Sequence, residues 1–181
     1  VALGKGLSNG YPLSAVAGPN NIMELLEEVY FSFTAGGETL SLAAALASLT
    51  KLQSENVIEE ISRKGDRLNN TVRELISQSE LSHILSVSGH PAWSFLKILD
   101  HEYFDASEIK TFFLQDMMDS GILCLGSHLL SFAHTDQDID KIIDAYKTFL
   151  ERLKKGLEDK SLLEMLRCEP LRPLFKVRKG T

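Results

Sequence analysis

The apolar residues Val57, Ile58, Ile61, Leu68, Val72, Leu75 and Ile76 recur at intervals of three and four. That spacing puts them on one face of a helix, so residues 55–79 read as one amphipathic helix that must lie against a core. Directly after it the pattern changes. Residues 84–88 and 93–99 read as two strands around the turn Gly89-His90-Pro91. Asp105 and Glu108 make a capping box, with Phe104 and Ile109 placed as a hydrophobic staple, and a helix runs from there to about Ser120, where Gly121 ends it. Residues 122–125 and 129–133 are expected as two more strands. Thr135 caps a final long helix, with Asp136 and Asp138 in its first turn and Lys154, Lys155 and Gly156 at its end. Strand, strand, helix, strand, strand, helix over 80–155 is a small α+β unit.

The chain before this helix is different. Its first 40 residues are rich in Gly, Ser, Asn and Pro, interleaved with apolar pairs. Residues 1–3 and 13–17 read as short buried segments flanking a glycine loop, and 24–30 as one or two helical turns. A loop around Gly36 and Gly37 then leads into a helix whose body, residues 40–49, is Leu, Ala and Ser. Side chains this small permit close packing against a sheet. With little else to bury that helix, residues 1–54 read as the end of a larger α/β domain whose beginning is absent from this chain. Residues 156–181 read as a short helix and an extended arm.

Composition narrows the function classes. Of 181 residues, 44% are hydrophobic and 24% charged, which excludes wholesale disorder. Residues 40–49 are the longest apolar run, too short and too interrupted by Ser41 and Ser48 to span a bilayer. Val1 begins with neither a basic segment nor an apolar one, so no secretory signal is expected. Cys124 and Cys168 stand far apart with no CxxC pair, which disfavours a disulfide framework or structural zinc and favours a reducing cytoplasm. Residues 1–150 carry 10 basic against 20 acidic side chains, and 151–181 carry 9 against 5. An acidic body argues against nucleic acid as the main partner, and the basic tail fits a solvated helix end.

Two places could hold chemistry. Lys5, with Gly4 and Gly6 on either side, is the only lysine in the first 50 residues. The glycines let a ligand approach closely, and a desolvated lysine amine can form a Schiff base with a carbonyl; read from its surroundings alone, a surface lysine fits better. The second place is Thr34-Ala-Gly-Gly-Glu-Thr39 before the apolar helix. A hydroxyl, the amides at Gly36 and Gly37 and a helix N-terminus could cradle a phosphate, and the stretch fits a loop with a helix-capping Thr equally well. Glu38 suits the helix dipole without any ligand. The five histidines lie at no metal-ligand spacing, Asp136, Asp138 and Asp140 lack the glycine and closing Glu of a calcium loop, and Trp93 and Cys124 are expected in the core.

Taken together these segments are more specific. Residues 3–18, LeuGlyLysGlyLeuSerAsnGlyTyrProLeuSerAlaValAlaGly, resemble the cofactor-lysine segment of class III pyridoxal-phosphate-dependent aminotransferases. Residues 33–45, from PheThrAlaGlyGlyGluThr onward, are similar to that family's following threonine loop and helix. SerPheAlaHisThrAspGlnAspIleAsp at 131–140 is similar to the glutamate-1-semialdehyde aminomutase branch. The resemblance covers residues 1 to about 155. It implies the end of a fold type I large domain over 1–54, an interdomain helix over 55–79, a small C-terminal domain over 80–155 and a basic extension over 156–181. It implies pyridoxal 5'-phosphate as cofactor, with Lys5 as covalent anchor and proton carrier, and Thr34 and Gly36 at the phosphate, Thr34 reaching it from the neighbouring subunit of a homodimer. No metal is implied.

Two departures shape the expected substrate. Glu38-Thr39 stands where the family usually has Asn-Pro, and 127–133 contains no arginine, where many class III enzymes place one for a substrate carboxylate. That leaves small-molecule amino donors and carbonyl acceptors of the semialdehyde or amino-sugar-like kind, handled by an aminotransferase or an aminomutase. The family's pyridine-nitrogen Asp and main phosphate loop precede the lysine, so this chain is expected to be a C-terminal portion, inactive alone. The alternative is a non-catalytic fragment serving as a dimerisation module.

Overall fold

The computed structural model describes residues 1–30 and 34–172. The first part of the loop expected at 31–39 and the end of the expected C-terminal arm lie outside the described residues. The chain divides into two compact units, Val1–Ile58 and Glu59–Thr181.

The first unit is thin. Strands β1 (Ala2–Leu3) and β2 (Ala15–Val16) pair antiparallel, Ala2 with Val16 and Leu3 with Ala15. The pair is extended by the Val1 ammonium, which donates to the Ala17 carbonyl at 2.6 Å, and by the Ala17 amide, which donates to the Val1 carbonyl at 2.9 Å. A helical turn α1 (Asn20–Met23) runs into a 3-10 segment at Glu24–Glu28, and α2 (Thr39–Ser54) follows the loop. The expectation that 1–3 and 13–17 are buried is corrected: Val1, Leu3 and Val16 are exposed. Two-residue strands leave no sheet face wide enough to cover them. On α2 only Ser41 and Ala45 are buried, while Leu40, Leu42, Leu46, Leu49 and Leu52 face outward.

The second unit holds the core. All but the first two residues of α3 (Val57–Gln78) belong to it, followed by β3 (Leu85–His90), β4 (Trp93–Ile98), α4 (Ala106–Asp119), β5 (Ser127–Leu129) and α5 (Asp136–Glu158). The three strands form an antiparallel sheet in the order β3-β4-β5. Its inward positions Leu85, Val87 and Leu96 meet Leu68, Val72 and Ile76 of α3, Phe112, Phe113 and Met117 of α4, and Phe149 and Leu153 of α5. Both long helices start as the sequence anticipates. Asp105 and Glu108 close a capping box on α4, with Phe104 and Ile109 both buried beside it, and Thr135 with Asp138 closes another on α5.

Three expectations in this unit are corrected. Residues 122–125 follow an irregular path, because hydrogen bonding to β4 begins only at Gly126, whose carbonyl accepts from the Leu96 amide at 2.9 Å, and Ser127 then pairs with Phe95. The strand expected over 129–133 lies instead at Ser127–Leu129, and the chain then turns, with the His134 amide bonded to the Ser131 carbonyl. Trp93 is 56% exposed rather than in the core. Strand side chains alternate, and Ser94 and Leu96 take the inward face, which sends Trp93 and Phe95 to the outer one.

A buried hydrogen-bonded line crosses this unit. Ser94 Oγ donates to Asn69 Oδ1 at 2.7 Å and also contacts His128 Nδ1 at 2.9 Å. A hydroxyl has one proton, so Nδ1 must be the donor in the second contact. His128 Nε2 is then free to accept from the Tyr146 hydroxyl at 2.7 Å. Burial pushes the His128 imidazole down to about 4, so it stays neutral, and pushes the Tyr146 phenol up.

Gly65 of α3 marks the tightest approach. A methyl group there would lie 2.0 Å from the Pro91 carbonyl oxygen in the β3–β4 turn. Gly65→Ala is expected to lower unfolding stability by ~3 kcal/mol in denaturant titration, because rigid backbone would have to move. For His128, NMR titration should show the ring unprotonated until the pH nears about 4. An unfolded histidine takes its proton near 6.5, so this group's stabilising contribution is complete above 6.5 and is lost as pH falls toward 4.

Candidate functional site

Lys5 sits in a 3-10 turn, Lys5–Leu7, inside the loop that joins β1 to β2. Its φ is 51°, a left-handed conformation uncommon for a residue with a side chain. Backbone of this kind persists where its surroundings impose it, and it concentrates at functional positions. A Cβ on Gly4 would lie 3.8 Å from the Leu13 carbonyl oxygen and 3.9 Å from Ser14 Cβ, ordinary contact distances. The space that a Cβ on Gly6 would enter is open. Lys5 is exposed, and among the described residues its amine has no hydrogen-bond or ion-pair partner.

The second segment is a turn at 34–37, with Thr34 and Gly36 exposed, closed by the Glu38 amide donating to the Ala35 carbonyl at 3.3 Å. Thr34 does not cap α2. Glu38 does, accepting from the Leu40 amide at 3.0 Å and the Ser41 amide at 2.6 Å. The Ser41 hydroxyl and amide, then the Leu40 amide, hold its carboxyl below the usual carboxylate range, so it is an anion at the positive end of the helix dipole. Two of the N-terminal amides of α2, those of Leu40 and Ser41, are therefore already engaged. An anion at this turn would find the Thr34 hydroxyl and the amides around Gly36, but not the helix terminus that the sequence suggested as part of the cradle.

An open cleft of about 330 Å³ is lined by Pro12, Leu13, Ser14 and Ala35. The hairpin that carries Lys5 and the turn that carries Thr34 thus border one opening, although neither of those two side chains forms its wall. A primary amine, a hydroxyl and unobstructed glycine backbone beside one cleft are donors of the type that a phosphorylated aldehyde requires. No group of three metal-ligating side chains occurs among the described residues. Asp136 and Asp140, which begin an alternating acidic pattern, are engaged instead by Arg63 and Arg67 of α3.

Sequence reasoning did not find the buried polar line, since Asn69, Ser94, His128 and Tyr146 share no spacing. It left His128 as one of five unremarkable histidines. A cavity of about 100 Å³ adjoins this line, walled by Phe113, Met117, Cys124, His128, Ile142 and Tyr146 among others. Cys124 is half-buried rather than deep in the core, and burial pushes its thiol up, away from nucleophilic reactivity.

The architecture matches known proteins. The model of the class III aminotransferase family aligns with residues 1–150, and the chain belongs to that family. Among curated relatives it is similar to glutamate-1-semialdehyde 2,1-aminomutases. The one from Akkermansia muciniphila is 28% identical, over 83% of this chain and 38% of the relative. The one from Thermus thermophilus is 31% identical, over 80% and 37%. Among solved structures, a transaminase with PLP bound superposes with a TM-score of 0.74 at 18% identity, covering 87% of this chain and 39% of the other. An adenosylmethionine-8-amino-7-oxononanoate aminotransferase from Methanocaldococcus jannaschii gives 0.67 at 25%, over 83% and 38%. The fold is that of the pyridoxal-phosphate-dependent transaminases, and the chain spans about 38% of the length of the curated relatives it matches.

Glu38→Ala should speed hydrogen exchange at the Leu40 and Ser41 amides, whereas Thr34→Ala should leave it unchanged. Equal acceleration in both variants would return the capping role to Thr34.

Proposed function

We propose that this chain is part of a pyridoxal 5'-phosphate-dependent aminotransferase or aminomutase, with Lys5 as the covalent anchor. The supporting observation is the family match across residues 1–150, which contains both the Lys5 hairpin and the Thr34 turn. Residues 1–54 are read as the end of the large cofactor domain, 55–79 as the helix between domains, 80–155 as the small domain and 156–181 as an extension. The cofactor, when bound, supplies the electron sink that makes loss of a proton from the substrate Cα feasible.

The chain's own residues would then do the following. Lys5 Nζ would hold the cofactor through its aldehyde carbon, with loss of water, and the amine, freed when a substrate amine takes its place, would take and return the substrate Cα proton. The turn at 34–37 receives the phosphate through the Thr34 hydroxyl and the backbone at Gly36. In a homodimer this turn serves the partner's cofactor. Glu38 keeps α2 capped, so that the turn enters the helix at a fixed angle.

The substrate is read as a semialdehyde or an amino-sugar-like carbonyl compound, with a small amine as donor. The stretch 127–133 supplies no arginine for a substrate carboxylate, and its exposed positions are Leu129, Ser131 and Ala133. The relatives named as glutamate-1-semialdehyde aminomutases support the first of these two substrates. Among the described residues no helix is long and apolar enough to cross a membrane, and with two isolated cysteines the cytoplasm is the proposed location.

The test uses the full-length protein. Wild type incubated with pyridoxal phosphate should absorb in the visible, and borohydride should fix a pyridoxyl group on the peptide containing Lys5. Lys5→Ala should lose both signals along with Cα proton exchange. Thr34→Ala should weaken pyridoxal phosphate about tenfold, the cost of one hydrogen bond to a charged group, and leave binding of unphosphorylated pyridoxal unchanged. A label on Lys51 or Lys97, or wild-type turnover in Lys5→Ala, would overturn the assignment. A protein that stays colourless would leave the dimerisation module as the better reading.

A further inference from the structure

The family model stops at residue 150, yet the chain beyond it is built into the second unit. After α5 the backbone turns at Lys160, whose φ is 54°, forms a 3-10 segment at Leu162–Met165 and continues with a bend at 167–168 and no regular structure to residue 172. Leu162 is wholly buried. Room for this segment comes from Gly156 of α5, where a methyl group would lie 3.1 Å from Met165 Sδ and 3.2 Å from Leu162 Cδ1.

On its other side the segment is fastened to α4 at three positions spaced by four residues. The Thr111 hydroxyl oxygen accepts from the Leu171 amide at 2.9 Å. Gln115 reads the backbone twice, donating to the Met165 carbonyl at 2.9 Å and accepting from the Arg167 amide at 2.8 Å. Asp119 pairs with the Arg167 guanidinium. Residues 161–172 therefore lie along one line of α4 as a strap.

Asp116 stands within this frame, one position from Gln115 and three from Asp119. It is 3% exposed. Its Oδ1 accepts from Arg152 Nη1 of α5 at 2.7 Å, and its Oδ2 is buried with no hydrogen-bond partner among the described residues. The charges facing it are Arg152 from α5, Asp119 from α4 itself and Arg167 from the strap. A carboxylate with one oxygen stranded in this way is a costly group to keep charged.

We propose that residues 161–172 form a proton-linked strap, which seats most firmly when Asp116 is neutral and loosens when Asp116 is charged. The linkage has a definite sign. Burial outweighs the pull of Arg152 and raises the seated Asp116 to about 6, against an ordinary value of 3.8. The seated state thus holds the proton more tightly than an open state in which water reaches the carboxyl. Its advantage is complete below 3.8 and is lost as pH rises through about 6. Mild acid fastens the strap, and neutral or basic conditions loosen it. His128 acts in the opposite direction on the core, so strap and core must be read separately.

Hydrogen exchange of the full protein, corrected for the intrinsic pH dependence, supplies that separation. Peptides from 161–172 should be up to about tenfold better protected at pH 5 than at pH 8. Asp116→Asn, which keeps the shape and removes the charge, should be protected at both pH values. Equal wild-type protection at the two pH values, or a pH dependence that survives in Asp116→Asn, would overturn the proposal. Gln115→Ala tests it in reverse without touching the carboxyl. If the strap buries Asp116, loosening it should bring the Asp116 titration, followed by NMR, back toward 3.8. An unshifted titration would show that the strap does not control this group.

Discussion

The line from Asn69 through Ser94 and His128 to Tyr146 is the constraint on which the second unit depends. It joins α3, β4, β5 and α5, and every member is buried. Each proton has one place to go, so the four elements are fixed in register as well as in contact. An apolar core of the same volume would tolerate sliding, whereas misplacing any member here strands a buried polar atom. The short strand β5 has only three residues to hold it, and His128 anchors its middle.

Around that line the fold is assembled by close approach. The Pro91 carbonyl rests on Gly65, and the 161–172 strap rests on Gly156. Each glycine lies inside a helix, where it weakens the helix by roughly 1 kcal/mol relative to alanine. In both places the cost is offset by backbone or side chains that could not otherwise come so near. In the first unit Gly4 and Gly18 have looser neighbours, the nearest being Met23 Sδ at 3.3 Å from a Cβ on Gly18. This unit's Lys5 hairpin and its turn at 34–37 are exposed, and what order they have comes from local hydrogen bonds and from the Glu38 cap.

This contrast explains how the candidate site relates to the scaffold. The residues proposed to carry chemistry, Lys5, Thr34 and Gly36, stand on loops in the exposed unit, while the deeply buried histidine and tyrosine are engaged with each other. Shifted protonation in the core therefore reflects structure here, even though perturbed groups elsewhere often mark catalysis.

Much of the second unit was legible because its signals are local. The three-to-four spacing in α3 and the capping boxes at Asp105 and Thr135 depend on neighbours within one or two turns, and all three helices begin within two residues of where the pattern places them. The paired motifs around Lys5 and Thr34 were legible for a similar reason, since each is a run of adjacent residues. The outward face of Trp93, the short β5 in place of two strands, the engagement of α2 by Glu38 and the burial of Asp116 were not. They depend on which strand pairs with which, and on which atoms from distant segments arrive first. The sequence by itself determined the helices, their ends, the family and the two loops where chemistry is proposed. The tertiary structure decided the strand register, the polar line and the strap, because each is a contest between residues far apart in the chain that packing alone settles.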